Sequence, residues 1–159
     1  MIRDARLSDR DTICLLADQV NRDHHQHMPN DFLKPGDTEA NWQHWLTFIE
    51  GAETFLLVAE NKGSVAGFIA CRIIQSGKAP FLVEKTKLQV STIVVSSEVQ
   101  REGVGRQLML SAIDKGKSMG ARETTLEVMA YNKGAQQFYE TLGFSEFSRK
   151  MSLIFVGKV

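Results

Sequence analysis

The strongest chemical signal in the sequence is a glycine-containing loop between an apolar strand and an amphipathic helix. The loop reads Gln-Arg-Glu-Gly-Val-Gly over residues 100–105, and Arg101 and Arg106 are its cations. Glycine at positions 103 and 105 leaves no Cβ to hold a ligand away from the main chain, so the N–H groups that begin the helix can converge on an anion. The positive end of the helix dipole adds to this attraction. The pattern therefore predicts a phosphate or pyrophosphate site.

The loop differs from two other phosphate-binding motifs. Neither Gly-Lys-Ser nor Gly-Lys-Thr closes it, as a P-loop requires, and it lacks the three glycines of a dinucleotide fingerprint. It resembles instead the acetyl-CoA-binding signature of the GNAT superfamily of N-acetyltransferases. Residues 132–144 resemble the C-terminal signature of the same superfamily, Asn-x-x-Ala-x-x-x-Tyr-x-x-x-Gly-Phe, and the spacing between the two signatures also agrees.

The order of hydrophobic patterns predicts one domain over residues 1–159 of the α/β (α+β) class. The resemblance implies a mixed, mostly antiparallel sheet of about six to seven strands, with helices on both faces and a V-shaped splay between the fourth and fifth strands. Leu88, Val90, Thr92 and Val94 are predicted to share one face of their strand. The predicted strands are 2–5, 54–60, 65–74, 87–95, 124–129 and one within 144–155. Three helices are predicted to follow Ser8, Asp37 and Gly103, and a fourth is predicted over residues 135–142.

The resemblance implies that acetyl-CoA is the co-substrate and that no metal is needed. Its pantetheine would lie as a pseudo-strand on main-chain groups of residues 93–95, and its pyrophosphate on the amides of residues 101–106. Asn132 is assigned to contacts with the cofactor. The full predicted binding set is Ile93, Val94, Val95, Gln100, Arg101, Glu102, Gly103, Val104, Gly105, Arg106, Asn132, Ala135 and Tyr139.

Acetyl transfer to an amine needs a base for the amine and an acid for the departing thiolate. The resemblance places Tyr139 beside the CoA sulfur, and a phenol with a pKa of about 10 can protonate a thiolate at little cost. Histone-type relatives carry a glutamate where this chain has Gln89, which cannot take a proton. Glu127 is the better-placed carboxylate, and a structural strand-end role for it is weighed equally. The histidines at 24, 25 and 27 are weaker alternatives.

These residues predict an acetyl-CoA-dependent N-acetyltransferase that works by direct attack in a ternary complex. The alternative is a non-catalytic acyl-CoA-binding or regulatory module on the same fold, which the presence of Tyr139 disfavours. The acceptor stays open among a protein N-terminus, a lysine side chain, a polyamine, an aminoglycoside and an amino acid.

Composition limits the partners and the compartment. Nineteen basic and nineteen acidic residues cancel, so the overall charge favours neither nucleic acid nor an anionic membrane. Cys14 and Cys71 lie in apolar segments, which indicates buried thiols in a reducing compartment. No segment approaches 18 consecutive apolar residues, and the expectation is a cytoplasmic protein, with a homodimer left open.

Two further clusters have ordinary structural interpretations. The histidines at 24, 25 and 27 are expected in a solvated loop beside the site, because no other ligand recurs with them at a metal-binding spacing. Trp42 and Trp45 follow a helical repeat and are expected in the core.

Overall fold

The protein, described by a computed structural model over residues 1–156, separates into two units, Met1–Glu127 and a second that begins at Val128. The second unit contains the helix α4 (Lys133–Thr141). The elements of the first unit are β1 (Ile2–Asp4), a 3-10 helix (Leu7–Asp9), α1 (Arg10–His27), α2 (Thr38–Glu50), β2 (Thr54–Asn61), β3 (Ser64–Ser76), β4 (Lys85–Val95), α3 (Val104–Ser118) and β5 (Glu123–Leu126).

The five strands form one sheet in the order β1-β2-β3-β4-β5. The first four are antiparallel to their neighbours, and β5 runs parallel to β4, so the mixed, mostly antiparallel prediction is confirmed. The predicted count of six to seven strands was too high. Residues 144–156 have no regular structure, so the strand expected within 144–155 is not formed. A strand needs a neighbouring backbone to pair with, and an apolar sequence does not supply one.

The β2–β3 hairpin turns at Lys62 and Gly63, between the two strands predicted at 54–60 and 65–74. Lys62 and Gly63 both have positive φ, 52° and 81°. Two consecutive left-handed residues are the signature of a type I′ turn, whose twist matches that of the flanking strands. The Asn-Lys-Gly-Ser sequence of residues 61–64 therefore pairs Asn61 with Ser64, and a bulge that leaves Ala66 without a β2 partner shifts the register of the remaining pairs.

Helices cover both faces of the sheet, as predicted. On one face, α1 and α2 pack on side chains from β2, β3 and β4, and Trp45 stands edge-on to Phe68 with ring centroids 5.1 Å apart. The core assignment of the two tryptophans is confirmed. On the other face lies α3, where Gly116 is so close to Leu88 that an added Cβ would stand 2.9 Å from the leucine side chain.

A β-bulge in β4 corrects the predicted alternation of that strand. Thr92 pairs with Ala70 and Val90 with Cys71, which leaves Ser91 without a β3 partner. One extra residue reverses the faces on either side of the bulge. Val94 consequently joins the α1–α2 core, whereas Leu88 packs on α3, so the four residues expected on one face divide between two.

The start of α1 also differs from the prediction. A helix was expected directly after Ser8, but Leu7–Asp9 form a 3-10 helix and α1 begins at Arg10. Asp9 anchors this start: its carboxylate accepts a hydrogen bond from the Arg6 N–H at 2.7 Å and two from the Arg3 guanidinium at 2.8 and 3.0 Å. The hydrogen bonds from Arg3 hold the pKa of Asp9 below its usual value. This ion pair ties β1 to the start of α1. Among residues 1–156, no helix is both long and apolar enough to cross a bilayer.

Candidate functional site

The glycine loop turns through two left-handed residues immediately before α3. Arg101 has φ of 71° and Gly103, the N-cap residue, has φ of 83°. Left-handed residues in a turn gather neighbouring N–H groups into one concavity, which is an anion-binding shape. A non-glycine residue held in this region costs about 1–3 kcal/mol and is concentrated at functional sites. The conformation of Arg101 therefore supports a binding role for the loop.

The space above the loop is open, and its amides are available. An added Cβ at Gly103 would meet nothing within 4 Å. The first backbone hydrogen bond of α3 runs from the Gln107 N–H to the Gly103 carbonyl at 3.0 Å. The preceding N–H groups, from 103 to 106, have no acceptor within the helix. Together with the cations at 101 and 106, they fit a diphosphate.

Within residues 1–156, no further strand pairs with the edge of β4 beside this loop over the last residues of β4. Pairing with β5 covers only residues 87–90 and ends where Val90 meets Leu126. The Ser96 N–H donates to the Ala66 carbonyl of β3, so the alternation of the backbone turns the main-chain groups of Ile93 and Val95 away from β3, towards the open edge. β4 thus continues for five residues beyond its last pair with β5, and the V-shaped splay that the resemblance implies stays a prediction.

Two glutamine side chains already use one acceptor on this edge. The Val95 carbonyl accepts from Gln19 Nε2 at 3.1 Å and from Gln100 Nε2 at 3.4 Å. Gln100 therefore braces the loop against the end of β4. The backbone of Val94 faces β3 and its side chain is buried, which leaves Ile93 and Val95 as the residues with main-chain groups at the edge.

Glu127 lies directly after β5 and is exposed. The register of the parallel pair places Gln89 beside Thr125. Because side chains two residues apart in a strand share a face, continuing this alternation by one step puts Glu127 on the face that Gln89 occupies. On this extrapolation the Glu127 carboxylate would lie on the same side of the sheet as Gln89, the side covered by α1 and α2.

The sequence analysis did not identify two residues on the face of the sheet that α1 and α2 cover. Arg72, the β3 neighbour of Gln89, holds its guanidinium 5.0 Å from the centre of the Phe48 ring. His44 stands edge-on to the same ring. Burial and the nearby charge of Arg72 lower the pKa of His44, which keeps the imidazole neutral and able to accept a proton. The packing of α2 on β3 brings these two residues to the same Phe48 ring, so spacing in the sequence gave no signal.

Tyr139 lies within the second unit on α4, where its ring contacts those of Phe138 and Phe144 at centroid distances of 5.4 and 5.9 Å. Burial raises the pKa of the phenol, so the hydroxyl keeps its proton at neutral pH. Asn132 is the N-cap of the helix, and its Oδ1 accepts from the Ala135 N–H at 3.1 Å. A cofactor contact by Asn132 would therefore use its side-chain amide nitrogen or its main chain.

The three histidines are not in a loop, which corrects the prediction for this segment. They occupy the last turn of α1, which continues to His27 because no proline or glycine interrupts it before Pro29. His24 stacks on Phe32 at 4.6 Å, and His25 Nδ1 is 2.7 Å from the Phe32 carbonyl oxygen. Within residues 1–156 no group of three His, Cys, Asp or Glu side chains could hold a metal ion. The histidines of this turn hold the following residues against α1.

Both cysteines are buried and free, as predicted. Burial raises the pKa of Cys14, and raises that of Cys71 to about 12. The reactive form of cysteine is the thiolate, so neither side chain is suited to form a covalent intermediate at neutral pH.

The chain is similar in sequence to known proteins. The acetyltransferase (GNAT) family model matches residues 17–144. The chain is similar to the ribosomal protein bS18-alanine N-acetyltransferase of Escherichia coli K12, with 36% identity over 92 residues that cover 55% of this chain and 61% of that enzyme. The chain spans 46% to 61% of the length of the first curated relatives it matches.

Solved structures agree on the fold. A mutant protein from Bacillus halodurans matches with a TM-score of 0.92 and 21% identity, over 98% of this chain and 99% of that one. The aminoglycoside N-acetyltransferase AAC(6')-Iy in complex with CoA matches with a TM-score of 0.75 and 20% identity, over 99% and 93% of the two chains. At these identities the similarity establishes the fold alone.

Proposed function

This chain belongs to the acetyltransferase (GNAT) family, and we propose that it transfers the acetyl group of acetyl-CoA to a primary amine by direct attack in a ternary complex. The observation that supports this most directly is the left-handed turn at Arg101 and Gly103 before α3, next to the open edge of β4. A diphosphate on the turn and an extended, amide-containing chain along the edge are the two parts of CoA that such a surface can hold.

The acceptor decides how much base the protein must supply. A lysine-like amine with a pKa of about 10.4 costs roughly 4.6 kcal/mol to deprotonate at pH 7, whereas an α-amine with a pKa of about 8 costs about 1.4 kcal/mol. The E. coli relative acts, by its name, on an alanine of a ribosomal protein. We favour a protein N-terminus or a small-molecule amine as the acceptor here.

The chain's own groups divide the proton transfers between them. Bound acetyl-CoA supplies a thioester carbonyl open to attack. Glu127 accepts the proton of the amine, from the face of the sheet that it shares with Gln89. Tyr139 donates a proton to the sulfur, and its raised pKa keeps that proton in place until it is needed. The neutral His44 is the second candidate for the base.

The rival function is a non-catalytic module that binds acyl-CoA. It would need the loop and the β4 edge but no proton donor. The phenol of Tyr139 makes no hydrogen bond with residues 1–156, so it is not explained as part of a structural network. This observation favours the enzyme.

Two glycines at opposite ends of α3 offer a matched test of cofactor binding. Gly103 and Gly120 both have positive φ, 83° and 95°, and both have open space where a Cβ would lie. Substitution by alanine therefore imposes the same strain, about 1–2 kcal/mol, at either end. We expect acetyl-CoA at 100 times its Kd to stabilise the wild type and Gly120→Ala by about 2.7 kcal/mol, and Gly103→Ala far less.

The measurement is the shift in Tm with acetyl-CoA, with NAD as the ligand control. Equal shifts for the two variants would contradict cofactor binding at the loop, and no shift for the wild type at millimolar acetyl-CoA would contradict the cofactor itself. Thiol release assayed against a panel of amines then separates the enzyme from the binding module and ranks the acceptors.

A further inference from the structure

Arg72 is a cation on the face of the sheet that α1 and α2 cover. It lies on β3, the third of the five strands, and its guanidinium stands 5.0 Å from the centre of the fully buried Phe48 ring of α2. An aliphatic side chain at this position would cover the ring without a charge, and a charge beside apolar surface loses part of its hydration. An arginine here therefore calls for a role other than packing.

The guanidinium of Arg72 has no acceptor of its own. Within Met1–Glu127 it makes no ion pair and no hydrogen bond, whereas Arg3 and Arg10 each bind a carboxylate of the same unit. The five N–H groups of an arginine form a planar fork that matches a carboxylate. Because the contact with Phe48 already restricts the side chain, less conformational entropy is lost when an anion binds.

Two uncharged polar side chains continue from Arg72 across the sheet. Gln89 on β4 pairs with Arg72, and Thr125 on β5 pairs with Gln89. Directly paired residues lie on the same face, so these three residues form one row, here called the polar row. Within Met1–Glu127 none of the three side chains hydrogen-bonds to the protein. The amide and the hydroxyl can both donate to an anion that the guanidinium holds.

The next row of side chains on this face cannot neutralise Arg72. Lys87 and Glu123 pair across β4 and β5, and Lys87 Nζ is 3.0 Å from one carboxylate oxygen of Glu123. Lys85 Nζ is 3.8 Å from the other oxygen. With Arg72, these residues bring three cations and one carboxylate to the same face. The surplus of positive charge attracts an anion to the polar row.

We propose that the polar row binds a carboxylate of the acceptor molecule, which makes Arg72 a residue that determines acceptor specificity. This inference rests on the acetyltransferase function proposed above. Thr125 is two residues before Glu127, the proposed base. Strands about 4.8 Å apart that rise about 3.3 Å per residue place the Cα atoms of Arg72 and Glu127 about 12 Å apart. The long side chains of arginine and glutamate shorten this to the span of an amino acid or a peptide N-terminus.

Two kinds of acceptor can supply the carboxylate. A free amino acid carries it beside the amine, and a peptide carries it on an acidic side chain near the N-terminus. Two matched pairs of acceptors separate these sources. The first pair is L-alanine and L-alaninamide, and the second is the amides of the dipeptides Ala-Glu and Ala-Gln. The members of a pair differ by one negative charge at nearly constant size.

The measurement is the ratio of kcat/KM for the charged and the neutral acceptor of a pair, from thiol release. Arg72→Gln removes the cation, and Arg72→Lys keeps the charge without the fork. Arg122→Gln is the control, because this arginine precedes β5 on the opposite face from Glu123. Each amine keeps its own basicity, so comparison of the ratio between variants cancels that difference.

We expect the ratio for one of the two pairs to fall at least about tenfold in Arg72→Gln, mainly through KM, because a charge-assisted bidentate contact is lost. Arg72→Lys should keep part of the ratio, since an ammonium is a point charge. Arg122→Gln should stay within about twofold of the wild type. The pair that responds identifies the source of the carboxylate.

Three results would overturn the proposal. The first is a change of less than about twofold for both pairs in Arg72→Gln, whether or not urea unfolding shows a loss of stability. The second is an equal fall in Arg122→Gln. The third is thiol release with other amines of the panel but with none of these four acceptors. Absence of release with every amine would instead contradict the transferase function itself.

Discussion

The two signature stretches of this chain lie in two units that differ in how many hydrophobic side chains they bury. The glycine loop precedes a helix that packs on a sheet, and every fully buried hydrophobic side chain of residues 1–156 lies between Ile13 and Ala121. The helix α4, which carries Tyr139, has no buried residue. The surface suited to the cofactor is thus built on the part of the chain that holds the buried core, and the proposed proton donor on a part that contributes little core.

This difference in burial predicts that folding stability and catalysis depend on different parts of the chain. Segments with few buried apolar contacts open at a lower free-energy cost than the core does. Substitutions in the buried core of the first unit should therefore act on folding, and those in α4 should act on the rate of reaction. The following experiments test that division.

The largest effect is expected from the core of the first unit. Phe68 is fully buried against Trp45, so Phe68→Ala should lower the free energy of unfolding by about 3–5 kcal/mol, through lost transfer energy and a cavity. Leu142, which follows α4 and is only partly buried, should lose about 1 kcal/mol on substitution by alanine. Urea unfolding followed by tryptophan fluorescence measures both. Equal losses would refute the contrast between the two units.

A smaller effect, confined to catalysis, is expected from α4. Tyr139→Phe keeps the ring contacts with Phe138 and Phe144 but removes the acidic proton. The kcat should fall roughly 10²-fold, and the shift in Tm with acetyl-CoA should stay close to that of the wild type. Because the raised pKa favours the protonated phenol, the wild-type activity should not decline from loss of this proton below about pH 10. An unchanged kcat in the variant would assign the acid to another group.

The smallest effect is expected at the end of β5. With an α-amine acceptor, Glu127→Gln should lower kcat/KM about tenfold at pH 7, and the difference should close above about pH 8, where solvent deprotonates most of the substrate. With a lysine-like acceptor, the deficit should persist to pH 9. Profiles of kcat/KM against pH, with the best amine from the panel, measure this. Identical profiles would remove Glu127 as the base and direct attention to His44.

Several elements of the fold could be predicted from the sequence because they depend on local patterns. The turn at Lys62 and Gly63, the cap at Asp37 and the helix after Gly103 all follow from residue types within a few positions. The bulge at Ser91 could not be predicted from the sequence, because a residue is extra only relative to its pairing with the neighbouring strand. The histidine turn was misjudged, because polar residues at the end of a helix have weak preferences that neighbouring contacts decide.

The sequence by itself determined the glycine loop, its helix and the resemblance that pointed to acetyl-CoA, because these depend on missing side chains and short spacings. The tertiary structure decided which main-chain groups of 93–95 reach the open edge and how the faces of β4 divide. It also placed Arg72 and His44 beside the face of Gln89. The first two depend on the register between β3 and β4, and the position of His44 depends on the packing of α2 against the sheet; neither is written in the local sequence.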